Sequence, residues 1–157
     1  MEFFDEKLAE LCLSWLGDKV YSIREAATVN LQKLIEVFGV EWAQSNIIPK
    51  VLNLNSHQNY LYRMTTLVSI CSLAKVMGPD AIDSTLLPLV LGMATDNVPN
   101  IRFNACKALE ASIPHVTEAC RETRIKPVLT KLYNEDSDSD VKFFANKALQ
   151  VLNSCSA

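Results

Sequence analysis

A seven-residue string returns four times in this chain at an almost fixed interval, and that interval restricts the fold more than any other feature. The copies run Asp18–Arg24, His57–Arg63, Asp96–Arg102 and Asp136–Lys142, each ending in a cation that follows Ile, Tyr or Val. Successive cations are 39, 39 and 40 residues apart. Three further ladders keep the same phase: Pro49, Pro88 and Pro127; Trp15, Leu54, Met93 and Tyr133; and Leu31, Ile70, Leu109 and Leu149. A period in this range marks stacked supersecondary units, each too small to bury its own apolar face, so that neighbours supply the core.

Composition decides what kind of unit repeats. The 157 residues include only 4 glycines and no Asn-Gly or Asp-Gly hairpin pair, and 49% of them are apolar. Helical periodicity fills the intervals: Leu8, Leu11, Cys12, Trp15 and Leu16 recur at i, i+3, i+4 and i+7. The expected fold is therefore all-α, an α-α superhelix of four antiparallel helix pairs in one array over 1–157. The repeats fall at about 5–39, 40–79, 80–115 and 116–153. Helices are expected near 5–17, 20–38, 59–77, 81–94, 98–112, 118–133 and 139–153, with another opening near Glu41. Asp18 is placed to cap the second helix, and Gly39 to stop it. Pro49 should kink its helix or start a new one. The Trp15 ladder is expected in the core, and Trp42 in packing.

The same numbers exclude whole classes of function. A net charge of −3 argues against nucleic acid as the main partner, because phosphate binding needs clustered Lys and Arg. No apolar run approaches the ~20 residues that span a bilayer. The 5 cysteines form no C-x-x-C pair and read as free thiols of a reducing compartment, which points to the cytoplasm and leaves the nucleus open. No cofactor or catalytic motif is present: G-x-S-x-G, H-E-x-x-H and Gly-rich phosphate loops are all missing. The acidic run Glu135–Asp140 begins like a calcium loop, but Val141 stands where such a loop needs Gly and Lys147 where it needs Glu. It is expected to be a solvated turn in which Ser137, Asp138 or Ser139 caps the last helix. His57 and His115 gather no zinc set. A non-catalytic binding module remains.

The order Pro, then Asp eight residues on, then Arg six residues after that resembles the HEAT repeat. Pro88, Asp96 and Arg102 match it fully; the second copy has His57 for Asp, and the fourth carries one extra turn residue before Lys142. Longer strings, among them 3–8, 20–27, 47–52, 59–66 and 100–104, resemble the scaffold (A, 65-kDa-type regulatory) subunits of protein phosphatase 2A, in order and over essentially the whole chain after Met1. The likeness is to the last four HEAT repeats of that scaffold.

That resemblance implies that the turns joining the two helices of each repeat line up as an edge that grips the phosphatase catalytic subunit. Carried over by position, the contact residues would be Tyr21, Arg24, Asn59, Tyr60, Arg63, Val98, Asn100, Arg102 and Asp140. For the cations the competing role is internal, stacked along the repeats and paired with turn aspartates; Arg63, without an aspartate in its own turn, is expected to be freer to meet a partner. Regulatory B subunits would bind mainly to repeats nearer the amino terminus than these, and the four-repeat segment alone would bind weakly. Phe3, Phe4, Leu8 and Leu11 precede the first repeat as an apolar face without a polar cap, open to self-association. A transport adaptor of the importin type is the alternative, but the inner helices lack its Trp ladder.

Overall fold

The computed structural model describes residues 2–155; the side chains of residues 2–6, 9, 21 and 52 lie outside the description, and with them the expectations for Phe3, Phe4 and the Tyr21 ring. The described residues hold helices and turns and no strand. By packing, the chain divides into two compact units, Met1–Val76 and Met77–Ala157.

In the first unit, α1 (Glu2–Leu16) pairs with α2 (Tyr21–Phe38). Helix α2 stops where Gly39 adopts φ 90, a conformation that costs side-chain-bearing residues much more, and the Gly39 N–H donates to Ile35 O. Next come α3 (Val40–Asn46) and α4 (Ile48–Asn55), with Ile47 between them. Pro49 causes that break: it has no N–H to return to Ser45, and its ring would crowd the Ser45 carbonyl. It sits instead in the first turn of α4, where its fixed φ suits a helix start. Helix α5 (Tyr60–Leu73) closes the unit. It ends earlier than its apolar pattern suggests, because the chain tightens into three-residue bonds from Lys75 N–H to Ser72 O and from Val76 N–H to Leu73 O.

The second unit meets the same proline problem differently. Its first helices are α6 (Pro79–Ala81) running into α7 (Leu87–Met93), and α9 (Glu118–Cys120) running into α10 (Lys126–Glu135). Each is joined through a π turn, Ile82–Leu86 and Arg121–Ile125. Leu87 N–H donates back five residues to Ile82 O, and Lys126 N–H to Arg121 O. The wider turn seats Pro88 and Pro127 without breaking the rod. Helix α8 (Pro99–Ser112) pairs with the first rod and α11 (Ser139–Cys155) with the second, and a single 3-10 turn, Ile113–His115, follows α8.

Leu31, Ile70 and Leu109 are fully buried, and the last member of that ladder, Leu149, is half-buried. The Trp15 ladder does not behave as one. Met93 is buried, but Trp15 is 38% and Tyr133 44% exposed. Their helices turn Leu16 and Leu132 inward instead, one position away on the helix surface, and that shift of about 100° moves the aromatic ring outward. Trp42 packs on Phe38 with ring centroids 4.9 Å apart. Buried hydroxyls are satisfied locally, as by Ser69 Oγ donating to Thr65 O at 2.8 Å and Ser112 Oγ to Ala108 O at 2.8 Å.

Candidate functional site

Two interactions build the intra-repeat turns, the first in all four and the second in the first three. The residue at the turn-aspartate position accepts from the N–H two residues on: Asp18 Oδ1 from Val20 at 2.8 Å, Asp96 Oδ1 from Val98 at 2.9 Å and Asp136 Oδ1 from Asp138 at 2.9 Å. In the second turn His57 does the same with Nδ1, accepting from Asn59 N–H at 3.1 Å. Asp18 therefore shapes the loop ahead of α2; Val20 occupies the cap position and offers no side-chain bond.

The second interaction comes from the arginine six residues later, which folds back on the turn carbonyls. Arg24 Nη1 donates to Asp18 O at 2.7 Å and Lys19 O at 3.1 Å; Arg63 Nη1 to His57 O at 2.8 Å and Gln58 O at 3.1 Å; Arg102 Nη1 to Asp96 O at 2.9 Å and Asn97 O at 3.3 Å. Arg63 is thus held like the others. The reasoning that it would be freer for want of an aspartate fails, because the bond runs to backbone carbonyls that any residue supplies.

Arg102 makes a further contact, and it is with the aspartate of the following turn. Nε donates to Asp136 Oδ2 at 2.7 Å and Nη2 to Oδ1 at 2.8 Å, with side-chain exposures of 14% and 5%. This fork holds the Asp136 carboxyl below its usual range and raises the guanidinium still further.

In the first unit the turns leave two of the expected contact residues exposed. Asn59 caps α5, its Oδ1 accepting from Leu61 N–H at 3.0 Å, so the next residue, Tyr60, stands at the helix start, 41% exposed. A small cleft of about 90 Å³, lined by Leu16, Gly17, Asp18, Asn59 and Tyr62, lies between the two turns. Gly17 permits it: a Cβ there would come within 2.7 Å of the Tyr62 ring.

In the second unit Val98 is half-buried at the cap position of α8, while Asn100 is exposed one residue past Pro99. Asp140 is exposed in the first turn of α11, where a carboxylate suits the helix dipole. Asp138 caps this helix, accepting from Asp140 N–H at 2.9 Å and Val141 N–H at 3.1 Å, so the acidic run is used in turn-building. Beside the turns, a groove of about 390 Å³ runs between α7 and α10, lined by Leu91, Thr95, Val128, Lys131 and Leu132 and bordered by Arg102 and Asp136.

Sequence reasoning missed one cluster. Phe103 and Phe144 stack at 5.4 Å between α8 and α11, Phe143 meets Phe144 edge-on at 5.2 Å, and Lys107 Nζ lies 4.3 Å from the Phe144 centroid and 4.9 Å from that of Phe103. The spacing of Phe103 and Lys107, four apart on one helix face, was the available signal.

The HEAT repeat family model matches residues 86–116. The chain is 41% identical over 126 residues to a Saccharomyces cerevisiae protein named as the regulatory A subunit of protein phosphatase PP2A, covering 75% of this chain and 20% of that protein. It is 47% identical over 72 residues to the protein of that name in Schizosaccharomyces pombe, 46% of this chain and 12% of the relative. It is 51% identical over 55 residues to the beta isoform of the human 65 kDa regulatory A subunit of serine/threonine-protein phosphatase 2A, 35% of this chain and 9% of the relative. The match thus spans about a fifth or less of these relatives' length. Among solved structures, the complex of CpcE and CpcF of phycocyanin lyase from Nostoc sp. PCC7120 contains a chain that superposes with a TM-score of 0.63 at 23% identity, covering 93% of this chain and 78% of that one. A designed armadillo repeat protein superposes at 0.57 and 15% identity, covering 90% and 63%. These two speak for an all-α helical-repeat fold alone.

Proposed function

We propose that this chain, which belongs to the family of protein phosphatase 2A regulatory A subunits, is a non-catalytic scaffold segment that binds the catalytic subunit of a 2A-type serine/threonine phosphatase. The observation that carries this reading is the 41% identity maintained over 75% of the chain with a relative named as a regulatory subunit. The intra-repeat turns would make the contact, through Asn59 and Tyr60 in the first unit and Val98, Asn100 and Asp140 in the second, with Tyr21 added on sequence position. Arg24, Arg63 and Arg102 act there chiefly by holding the turns in shape. B-type regulatory subunits would be served mainly by repeats outside this segment, and the assembly would work in the cytoplasm.

An exposed tyrosine at a rigid helix start suits such an edge, since it presents a large area with few rotors to freeze. Surface plasmon resonance with purified phosphatase catalytic subunit tests the reading. Tyr60→Ala and Val98→Asp should each weaken binding about tenfold or more while leaving the melting curve in place. The reading is wrong if neither this chain nor a longer array that contains it binds the catalytic subunit.

A further inference from the structure

We infer that the paired helices α8 and α11 carry a second docking surface, built from Phe103, Phe143, Phe144 and Lys107, which receives an acidic peptide segment bearing an apolar anchor. It stands apart from the turn-edge reading and does not depend on it. Phe143 is 63% exposed, although its ring could gain a great deal by burial. It stands edge-on to Phe144, which is itself stacked on Phe103. An aromatic so placed offers a large contact area with few rotors to freeze.

The charges select the partner. Lys107 lies over two ring faces, and an ammonium has three donors and no acceptor; those directed away from the rings suit a carboxylate. Helices α8 and α11 carry Arg102, Lys107, Lys142 and Lys147 against only Glu110 and Asp140, in a chain whose net charge is −3. Lys147 bonds Glu110 at 3.2 Å and Arg102 bonds Asp136; outside these two internal pairs the helices carry Lys107 and Lys142 against Asp140. Nor is the cluster common to all the repeats. The fourth repeat has Phe143 and Lys147 at the positions equivalent to Phe103 and Lys107, whereas the first has Glu25 and Val29 and the second Met64 and Val68, so the pair is confined to the two repeats that build the cluster.

The test is fluorescence polarisation of the full chain with a labelled octapeptide, Glu-Glu-Asp-Leu-Phe-Glu-Asp-Glu, beside one with every acid made Gln and one with Leu-Phe made Ser-Ser. Binding of the acidic peptide should exceed both controls by about tenfold and weaken as salt rises from about 50 to about 300 mM, a range over which screening changes strongly. Phe143→Ser, at an exposed position, and Lys107→Glu should each lower it by about tenfold, while Tyr60→Ala leaves it unchanged. Equal binding of the Gln peptide, no binding at all, or undiminished binding to the Phe143→Ser chain would overturn the inference. So would a Phe143-dependent dimer in light scattering, which would make a second copy the occupant. Peptide binding by a parent chain that does not bind the phosphatase catalytic subunit would count against the turn edge alone.

Discussion

Arg102 grips Asp136 with two parallel hydrogen bonds of 2.7 and 2.8 Å, and in doing so ties the third turn to the fourth. The same guanidinium holds the carbonyls of Asp96 and Asn97 through Nη1, so one side chain closes its own turn and anchors the next. Asp136 in return shapes its turn by accepting from Asp138. Removing the carboxylate therefore loses a charge-assisted pair and a loop bond together.

Asp136→Asn should lower stability at pH 7 by about 1.5–3 kcal/mol, the range for hydrogen bonds to charged groups. The pH dependence follows from the direction of the shift. The folded carboxyl titrates below its unfolded value of about 3.9, so the stabilisation is complete above that value and is lost as pH falls through the folded one. Urea titrations of both chains at pH 7 and at pH 3 should show the gap between them narrowing in acid. A gap that stays constant would mean that the pair contributes nothing through charge.

Gly17 makes a second prediction, from shape rather than charge. A methyl group there would meet Tyr62 Cε1 at 2.7 Å, and the Tyr62 ring is itself packed on His57 at 4.2 Å. Gly17→Ala should cost about 1–3 kcal/mol as an overpacked contact. In a Tyr62→Leu background the cost should fall substantially, and a double-mutant cycle by thermal melting measures the difference. Additive effects would show that the ring is not the obstacle.

The apolar ladder yields a comparison between equivalent positions. Ile70 and Leu109 are fully buried, and truncation to Ala should cost about 2–5 kcal/mol each. Leu149 holds the same place in the fourth repeat but is only half-buried, so Leu149→Ala should cost clearly less. Chemical denaturation of the three variants checks the order, and an equal loss at all three would mean that exposure does not set the cost.

Much of this architecture was legible because a repeat reports its own phase. Proline spacing located Pro49, Pro88 and Pro127 in first helices, but not that the last two would be seated by π turns, since the choice between a break and a wide turn depends on packing around the rod. The turn cation was visible as a ladder, whereas its acceptors were not, because backbone carbonyls leave no mark in the sequence. His57 illustrates the point: it departs from aspartate, yet Nδ1 performs the same acceptor role. Trp15 was misplaced for a different reason. Two adjacent apolar residues, Trp15 and Leu16, compete for one inward position, and periodicity alone does not choose between them. The Phe103–Phe144 stack joins residues 41 apart in sequence, on different helices, a pairing that only the packing of α8 against α11 reveals.

The cysteines give the last prediction, because their environments differ. Burial, with the Asp136 charge adding to it, pushes the Cys106 thiol up to about 12. Burial also raises Cys120, together with the hydrogen bond from its Sγ to Asp83 Oδ1, to about 11. Cys155 is exposed. Since thiolate is the reactive form and access is needed as well, native-state labelling by iodoacetamide at pH 8 should mark the exposed Cys155 well before the buried Cys106. Peptide mass mapping over time reads the order, and early labelling of Cys106 would contradict its burial. Linkage carries the same shift into stability: a thiol raised in the fold stabilises fully below its unfolded value of about 8.5, and that contribution is lost as pH rises toward the folded value. Between about pH 8.5 and about pH 11 the parent chain should therefore lose stability more steeply than Cys106→Ala, which has no thiol there to ionise.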